Sequence, residues 1–315
     1  MTATKETQTP QFANLIAPGH SACMGCGELL AARLVLQAIG PNVIIVQATG
    51  CMEVTTTKYP ESAWEVPWIH SLFDNVGAVA AGIEMALRAM GKEGSAKVIA
   101  QGGDGALADI GFGPLSGMWE RGHNVMTVCY DNEAYMNTGV QRSGLTPFAA
   151  RTSTSPPGKQ SVGNWLPKKD MVEIARAHGL PYVATASPAY PRDLMRKAKK
   201  AAEVQGPSYL QLLVPCPLGW GFGSAETINI GKLAIQSGIY PIVEFENGEL
   251  VSWMRVPSKR PTVEEYLSKQ VRFRHLAGEK AKDQVARIQA IADANIARFK
   301  LDQPPPRPAK AASSE

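Results

Sequence analysis

Short apolar segments alternate with helical segments over most of this chain, and this alternation is the feature that most constrains its fold. Strands are predicted at residues 42–47, 97–101, 124–130, 181–186 and 208–214, and helices at 28–39, 75–90, 114–121, 170–178 and 190–204. Strands joined by helices form a mostly parallel sheet that is covered by helices on both faces. The sequence therefore predicts an α/β domain over residues 14–220.

The rest of the chain lacks this alternation. Residues 1–13 are predicted to be a flexible N-terminus, and residues 302–315, which contain three consecutive prolines, a disordered tail. Between them, residues 221–301 are predicted to form a C-terminal extension with a hairpin around Asn247-Gly248 and a helix at residues 279–300. The apolar stripe of that helix is expected to pack on its own domain or on a partner.

Composition narrows the class of protein. The net charge of +4 over 315 residues is too small to indicate a nucleic-acid partner. No apolar run is long enough to span a bilayer, and the polar start lacks the apolar core of a signal peptide. We therefore expect a cytoplasmic protein that binds neither membrane nor nucleic acid.

Four of the five cysteines lie in glycine- or proline-flanked loops. Cys23 and Cys26 form a Cys-x-x-Cys pair, Cys51 follows Ala-Thr-Gly, and Cys216 lies between two prolines. Four such thiolates suit an iron–sulfur cluster. A structural zinc site and free thiols are the alternatives, although zinc sites usually combine two Cys-x-x-Cys pairs. Cys129 lies within an apolar strand and is predicted to be a core residue.

A second group of polar residues follows two other predicted strands. Asp104 lies in Gly103-Asp104-Gly105, and Asn132 ends the next strand 28 residues later. A carboxylate and an amide at the same edge of a sheet can share one Mg²⁺ ion, and glycine allows backbone amides to approach a diphosphate. This combination is typical of thiamine diphosphate sites. Thiamine diphosphate supplies a carbanion-stabilising ylid that attacks 2-oxoacids, and a nearby iron–sulfur cluster would remove electrons from the product.

These residues together resemble a known family, the β subunits of the 2-oxoacid:ferredoxin oxidoreductases, and most closely those of the pyruvate-oxidising members. The segments that carry the resemblance are residues 20–28, 48–54, 67–70, 103–105, 109–111, 115–117, 120–123, 130–143, 168–170 and 215–217. They extend over about residues 14–220. The resemblance implies a thiamine diphosphate-binding fold.

The resemblance also implies roles for individual residues. Cys23, Cys26, Cys51 and Cys216 would hold a [4Fe–4S] cluster. Asp104, the Asn132 side chain and the Ala134 carbonyl would ligate Mg²⁺, and Gly103 and Gly105 would line the diphosphate. Asn137 would face the substrate and the thiamine adduct, with a turn-capping role as the alternative, and Thr138 and Gln141 would lie nearby. His70 and His123 are expected to be structural.

The chain departs from the pyruvate-type pattern at Phe112-Gly113-Pro114 and in the loop from Ser161 to Leu166. These departures leave the 2-oxoacid, the use of coenzyme A and the direction of the reaction open. An oxalate-oxidising enzyme, which needs no coenzyme A, and a branched-chain 2-oxoacid enzyme are the alternatives. A non-redox thiamine enzyme and a zinc-stabilised binding module are more distant ones.

One element of a thiamine enzyme is not found among these motifs. The glutamate that contacts the aminopyrimidine ring lies on a separate subunit in the family, and Glu28, Glu53 and Glu61 are not expected to replace it. The resemblance implies partner subunits of the α and γ/δ types, ferredoxin as the electron acceptor and a small 2-oxoacid as the substrate. The isolated chain is therefore predicted to be inactive.

Overall fold

The computed structural model describes residues 14–306 and contains one eight-stranded sheet. The strands are β1 (Val43–Gln47), β2 (Trp68–His70), β3 (Lys97–Gly103), β4 (Val125–Asp131), β5 (Tyr182–Ala186), β6 (Ser208–Leu213), β7 (Val243–Glu246) and β8 (Glu249–Trp253). The helices are α1 (Gly27–Ile39), α2 (Cys51–Thr56), α3 (Val76–Ala89), α4 (Phe112–Glu120), α5 (Met171–Ala177), α6 (Pro191–Glu203), α7 (Pro217–Trp220), α8 (Thr227–Gln236), α9 (Val263–Ser268) and α10 (Lys282–Phe299). A π-helix spans Gly105–Ile110, and short 3₁₀ helices span Ser224–Glu226, Val271–Leu276 and Glu279–Ala281.

The strand order is β2-β1-β3-β4-β6-β5-β7-β8, and the first six strands are parallel. The residues of β4 and β6 are all buried, as expected for central strands with both faces covered. Apolar residues of α1 and α6 form the core on one face, and residues of α3, α4 and α5 form it on the other. The predicted α/β class, with a mostly parallel sheet between helices, is confirmed.

The C-terminal extension continues the same sheet. Strand β7 pairs antiparallel with β5, and β8 pairs antiparallel with β7 through the predicted turn at Asn247 and Gly248. Helix α10 packs on its own chain, since Ile288, Ala292 and Phe299 are buried in the core. This result decides between the two predicted alternatives for the apolar stripe.

The chain remains ordered slightly beyond the predicted end of the fold. The Asp302 carbonyl accepts a hydrogen bond from the Arg255 Nε at 3.1 Å, and the Gln303 carbonyl accepts one from the Trp253 Nε1 at 2.9 Å. These two residues, at the start of the segment predicted to be disordered, thus contact the strand β8 region. The predicted flexible N-terminus, residues 1–13, and the last nine residues, 307–315, lie outside the described part of the chain. Within residues 14–306, no helix has the length and apolar character needed to cross a membrane.

The edge between β5 and β7 contains a buried carboxylate, Glu244, that is held by cations. Its carboxylate accepts hydrogen bonds from Arg196 at 2.7 Å and from Lys200 at 2.9 Å. Burial alone would raise the pKa of Glu244, but the hydrogen bonds and charges of these two residues outweigh burial and lower the pKa to about 2. The ionised form of Glu244 therefore stabilises the fold.

We predict that Glu244→Gln lowers the free energy of unfolding at neutral pH by about 1.5–3 kcal/mol, the range for hydrogen bonds to charged groups. Because the pKa is lowered in the folded state, this loss is complete above the ordinary value of 4.5 and shrinks as the pH falls towards about 2. Urea unfolding of both proteins at several pH values measures the difference. Glu246→Gln is the control. Glu246 also pairs with Lys200, but its side chain is 40% exposed, so this change should alter the free energy of unfolding little. An effect of Glu244→Gln that does not change with pH would contradict the ionic explanation.

Candidate active site

Four adjacent parallel strands bring the predicted site residues to one edge of the sheet. Strands β1, β3, β4 and β6 are consecutive neighbours, and their carboxyl ends lead to Cys51, Asp104, Asn132 and Cys216, respectively. A chain of buried side-chain hydrogen bonds crosses three of these strands. Tyr130 donates to Gln101 at 3.0 Å, and Gln101 donates to Gln47 at 2.7 Å. These bonds help to fix the relative positions of the strand ends.

All four predicted cysteine ligands, Cys23, Cys26, Cys51 and Cys216, line one cavity of about 340 Å³. The Cys-x-x-Cys loop reaches this cavity because α1 begins against the loop that follows β6. The Gly27 amide donates to the Pro215 carbonyl at 3.3 Å, and a Cβ atom on Gly27 would lie 2.7 Å from the same carbonyl oxygen. Thr227 secures the loop from the other side by donating to the Gly25 carbonyl at 2.6 Å.

Helix N-termini surround the thiols. Cys26 precedes α1 and its sulfur accepts a hydrogen bond from the Leu29 amide at 3.5 Å, whereas the Cys216 sulfur accepts one from the Gly219 amide at 3.3 Å. Cys51 is the first residue of α2. Burial, with a contribution from the charge of Glu28, raises the pKa of Cys26 to about 12. A positively charged centre in the cavity would be needed to stabilise the thiolates.

The four thiols line the same cavity, and burial, with contributions from the charges of Cys216, Cys26 and Cys23, raises the pKa of Cys51. Within residues 14–306, no three histidine, cysteine, aspartate or glutamate side chains are grouped so that they could hold a single metal ion. Cys129 is separate from this group. It is fully buried in β4, between Gly102 of β3 and Gln211 of β6, which agrees with its predicted place in the core.

Asp104 is fully buried where β3 ends and the π-helix begins. The Ser143 hydroxyl donates to its Oδ2 atom, while its Oδ1 atom has no hydrogen-bond partner among the described residues. Burial, together with the charge of nearby Asp131, raises the pKa of Asp104 well above its ordinary value. A buried carboxylate with a free oxygen and a like charge beside it fits a cation site.

Asn132 follows β4, the strand next to the one that ends at Asp104, and its side chain also has a buried oxygen without a hydrogen-bond partner among the described residues. Its Nδ2 atom donates to Glu28 at 3.3 Å, its backbone carbonyl accepts from the Trp220 Nε1 at 2.7 Å, and its Oδ1 atom is buried without a partner in the described part of the chain. Burial raises the pKa of Glu28 to about 7. Asn132 and Glu28 also line the cysteine cavity, so the two groups of predicted ligands meet at Asn132.

The two glycines beside Asp104 differ in their surroundings. A Cβ atom on Gly105 would lie 2.5 Å from the ring of Tyr135, so the packing of that ring requires glycine. At Gly103 the nearest atom to such a Cβ would be the Tyr130 carbonyl oxygen at 4.0 Å, which leaves room beside the backbone. The space at Gly103 is compatible with the predicted approach of a diphosphate.

The loop after Asn132 folds back on itself between Tyr135 and Gln141. Asn137 lies in this loop and lines the cysteine cavity. Thr138 instead donates to Gln141 at 2.6 Å, and Ala134 is buried beside Asn132. The two histidines that were predicted to be structural have structural contacts: His70 lies 2.7 Å from the Thr49 hydroxyl, and His123 lies 2.9 Å from a Glu84 carboxylate oxygen.

Sequence reasoning missed several residues that hold these loops. Ser143 binds Asp104, and Asp109 accepts a hydrogen bond from the Gly144 amide at 2.6 Å while pairing with Lys169 at 3.0 Å. Both lie in segments that carried the family resemblance, but neither has a spacing that singles it out. Asp131 could have been noticed, since it immediately precedes Asn132 at the end of a strand.

The comparisons with known proteins agree with this geometry. Residues 48–212 match the model of the thiamine pyrophosphate enzyme C-terminal, thiamine pyrophosphate-binding domain, so this part of the chain is a domain of that class. The chain is 54% identical to the pyruvate synthase subunit PorB of Methanosarcina barkeri, over 91% of this chain and 97% of the relative. It is 44% identical to the ketoisovalerate oxidoreductase subunit VorB of Pyrococcus abyssi, over 87% of this chain and 90% of that one.

A solved structure also matches. It is the 2-oxoglutarate:ferredoxin oxidoreductase of Magnetococcus marinus with 2-oxoglutarate, coenzyme A and succinyl-CoA bound, with a TM-score of 0.53 and 26% identity. The match covers 63% of this chain and 65% of that chain. The chain belongs to the family of 2-oxoacid:ferredoxin oxidoreductase β subunits.

The electrostatics of Asp104 lead to a prediction. Its raised pKa means that ionised Asp104 destabilises the cation-free fold above its ordinary pKa of 3.8, and that this cost grows as the pH rises. With a chelator present, Asp104→Asn should therefore raise the free energy of unfolding at neutral pH, by about 1–3 kcal/mol. As the pH falls towards the ordinary pKa of 3.8, this gain in stability should shrink. Urea unfolding with a chelator tests this, and a less stable Asp104→Asn protein at neutral pH would contradict it.

Proposed function

We propose that this chain is the thiamine- and cluster-binding subunit of an enzyme that oxidatively decarboxylates a 2-oxoacid, with pyruvate as the substrate, and passes the electrons to ferredoxin. One observation carries the proposal: the cavity lined by four cysteines also contains Asn132, whose free oxygen belongs to the candidate cation site. A site for an organic cofactor and a site for a redox centre therefore adjoin each other.

The free oxygens of Asp104 and Asn132 support a Mg²⁺ site, with the Ala134 carbonyl as the third protein ligand. The cation would neutralise the diphosphate of thiamine diphosphate, which supplies the nucleophilic carbon for attack on the 2-oxoacid. Gly103 leaves space for the diphosphate. Asn137, at the cysteine cavity, would donate a hydrogen bond to the oxygen on which negative charge develops.

The arrangement of Cys23, Cys26, Cys51 and Cys216 favours a [4Fe–4S] cluster over zinc. Zinc sites usually combine two Cys-x-x-Cys pairs, whereas this chain offers one such pair and two single cysteines around one cavity of about 340 Å³. The amides that donate to Cys26 and Cys216 would stabilise the cluster sulfurs. This arrangement weighs against the zinc-stabilised binding module and the non-redox thiamine enzyme.

Exposed apolar side chains support partner subunits at the same edge of the sheet. Met24 is 82% exposed in the Cys-x-x-Cys loop, Leu218 is 76% exposed just after Cys216, and Leu72 is 68% exposed after β2. Burial of these three side chains against another chain would remove apolar surface from water. Partner subunits there would cover the site and supply the glutamate for the aminopyrimidine ring, because the Glu28 carboxylate is already engaged by Asn132.

Two observations favour pyruvate over oxalate and branched-chain substrates. The identity is higher to the pyruvate synthase subunit than to the ketoisovalerate oxidoreductase subunit, at 54% against 44%. The departure at residues 112–114 is packed within the chain: Phe112 lies edge-on against His178 and beneath Lys169, and Pro114 lies beside Gly77 of α3. None of these residues lines the cavity that contains Asn132 and Asn137.

Assays of the whole purified complex test the substrate. We expect ferredoxin reduction to be fastest with pyruvate and to require coenzyme A, and the isolated chain to show none. Oxalate and 3-methyl-2-oxobutanoate, each with and without coenzyme A, are the comparison substrates. Faster, coenzyme A-independent reduction with oxalate would refute the pyruvate assignment, and activity of the isolated chain would refute the need for partners.

The contact at Gly27 gives a separate test of the cluster. In Gly27→Ala the new methyl group would push α1 away from Pro215, and we expect the purified protein to lose most of its iron, its acid-labile sulfide and its visible absorbance. Gly82→Ala is the matched control, because no atom lies within 4 Å of a Cβ there. Full iron content in Gly27→Ala, or zinc in place of iron in the parent protein, would contradict the proposal.

A further inference from the structure

Two buried carboxylates flank Asn132, and one lysine joins them. Asp131 and Glu133 are almost fully buried. The Lys168 Nζ atom lies 2.7 Å from an oxygen of each of them. The carboxylates that precede and follow Asn132 are therefore connected through a single ammonium group.

Arg272 holds the same loop from the C-terminal extension. Its guanidinium lies 2.6 Å from Glu133 and stacks at 3.8 Å on the ring of Trp220. Trp220 in turn donates to the Asn132 backbone carbonyl at 2.7 Å. Arg272 is itself buried and donates to Gln270 at 2.9 Å, so its position is fixed. Arg272 therefore contacts two residues that hold Asn132: Glu133, which follows it in the chain, and Trp220, which binds its carbonyl.

The loop needs such support because its backbone is strained. Glu133 has a φ of +69°, in the left-handed region that residues with side chains rarely adopt. A residue in this conformation persists only when its surroundings fix it. The ion pairs of Glu133 with Lys168 and Arg272 supply this constraint immediately beside Asn132.

Ion pairs with Lys168, Arg272 and Lys169 leave one carboxylate of this region for a metal ion. Four carboxylates lie in the segments at the ends of β3 and β4. Asp109 pairs with Lys169, while Asp131 and Glu133 pair with Lys168 and Arg272. Asp131 and Asp104 each have an Oδ1 atom without a hydrogen-bond partner among the described residues, but of the four carboxylates Asp104 alone has no ion pair there.

We propose that Lys168 and Arg272 are positioning residues of the divalent-cation site. They hold the Asn132 amide in place and neutralise the neighbouring carboxylates, so that the cation meets Asp104 and Asn132 without competition. The inference rests on the proposed function, since it assumes that Asp104 and Asn132 bind a cation with thiamine diphosphate. It adds to that site a lysine and an arginine that touch neither the cation nor the substrate.

Manganese binding tests this inference. The probe is Mn²⁺ in the presence of thiamine diphosphate, measured on the whole complex by the electron paramagnetic resonance signal of the free ion. Lys168→Met and Arg272→Met should each weaken Mn²⁺ binding by about 10–100-fold, as expected when the groups that orient metal ligands are removed. The visible absorbance of the cluster should stay unchanged, which separates a local effect from loss of the fold.

Conservative variants and a remote control complete the design. Lys168→Arg and Arg272→Lys keep the charge and should fold if the methionine variants do not. Lys168→Arg should restore much of the affinity, whereas Arg272→Lys, which loses the planar stack on Trp220, should restore less. The control is Arg196→Met. Arg196 pairs with the buried Glu244 at 2.7 Å in another part of the sheet, so its replacement should leave Mn²⁺ binding intact.

The outcomes separate the two proposals. Parental affinity in the folded Lys168 and Arg272 variants would overturn the positioning role and leave the cation site standing. An equal loss in Arg196→Met would also overturn it, because the effect would then be general. If the parent complex itself binds no Mn²⁺ with thiamine diphosphate, the cation site and the positioning role both fail.

Discussion

The contact between the Gly27 backbone and the Pro215 carbonyl holds the two halves of the site together. Because Gly27 has no side chain, α1 can begin directly against the loop that follows β6. That approach brings the Cys-x-x-Cys loop to the cavity of Cys216. It also places Glu28, the next residue of α1, within hydrogen-bonding distance of Asn132. One close contact thus connects the cysteine loops to the candidate cation site.

Most of the buried carboxylates described above are paired with cations. Glu244, Asp131 and Glu133 are each paired with a lysine or an arginine. Asp104 differs from them, since it is fully buried and has no ion pair in the described part of the chain. Glu28, which accepts a hydrogen bond from Asn132, is the other buried carboxylate at the site without a cation beside it. Proteins tolerate such a local cost in stability where function requires it. The contrast between Asp104 and its paired neighbours is what supports the proposed cation site there.

The sequence predicted the central fold and the convergence of the candidate residues on one edge of the sheet, because both depend on local patterns. Apolar runs located the parallel strands, and glycine-rich loops located Cys51 and Asp104 at their carboxyl ends. Other features carry no such pattern. The ion pair of Glu133 with Arg272 joins residues 139 positions apart, and only the folded chain brings them together. Helices α8 and α9 were not predicted either, because the alternation of apolar and polar residues weakens in residues 221–301.

The position of Arg272 has a practical consequence for anyone who shortens this chain. Residues 48–212 match the thiamine pyrophosphate-binding domain and contain Asp104, Asn132 and the strands that present them. A fragment cut at those limits would nevertheless lack Cys23, Cys26 and Cys216, and it would lose both Trp220 and Arg272 from around Asn132. The boundaries of the matched domain therefore do not coincide with the smallest unit that retains the site, which extends from the Cys-x-x-Cys loop at least to Arg272.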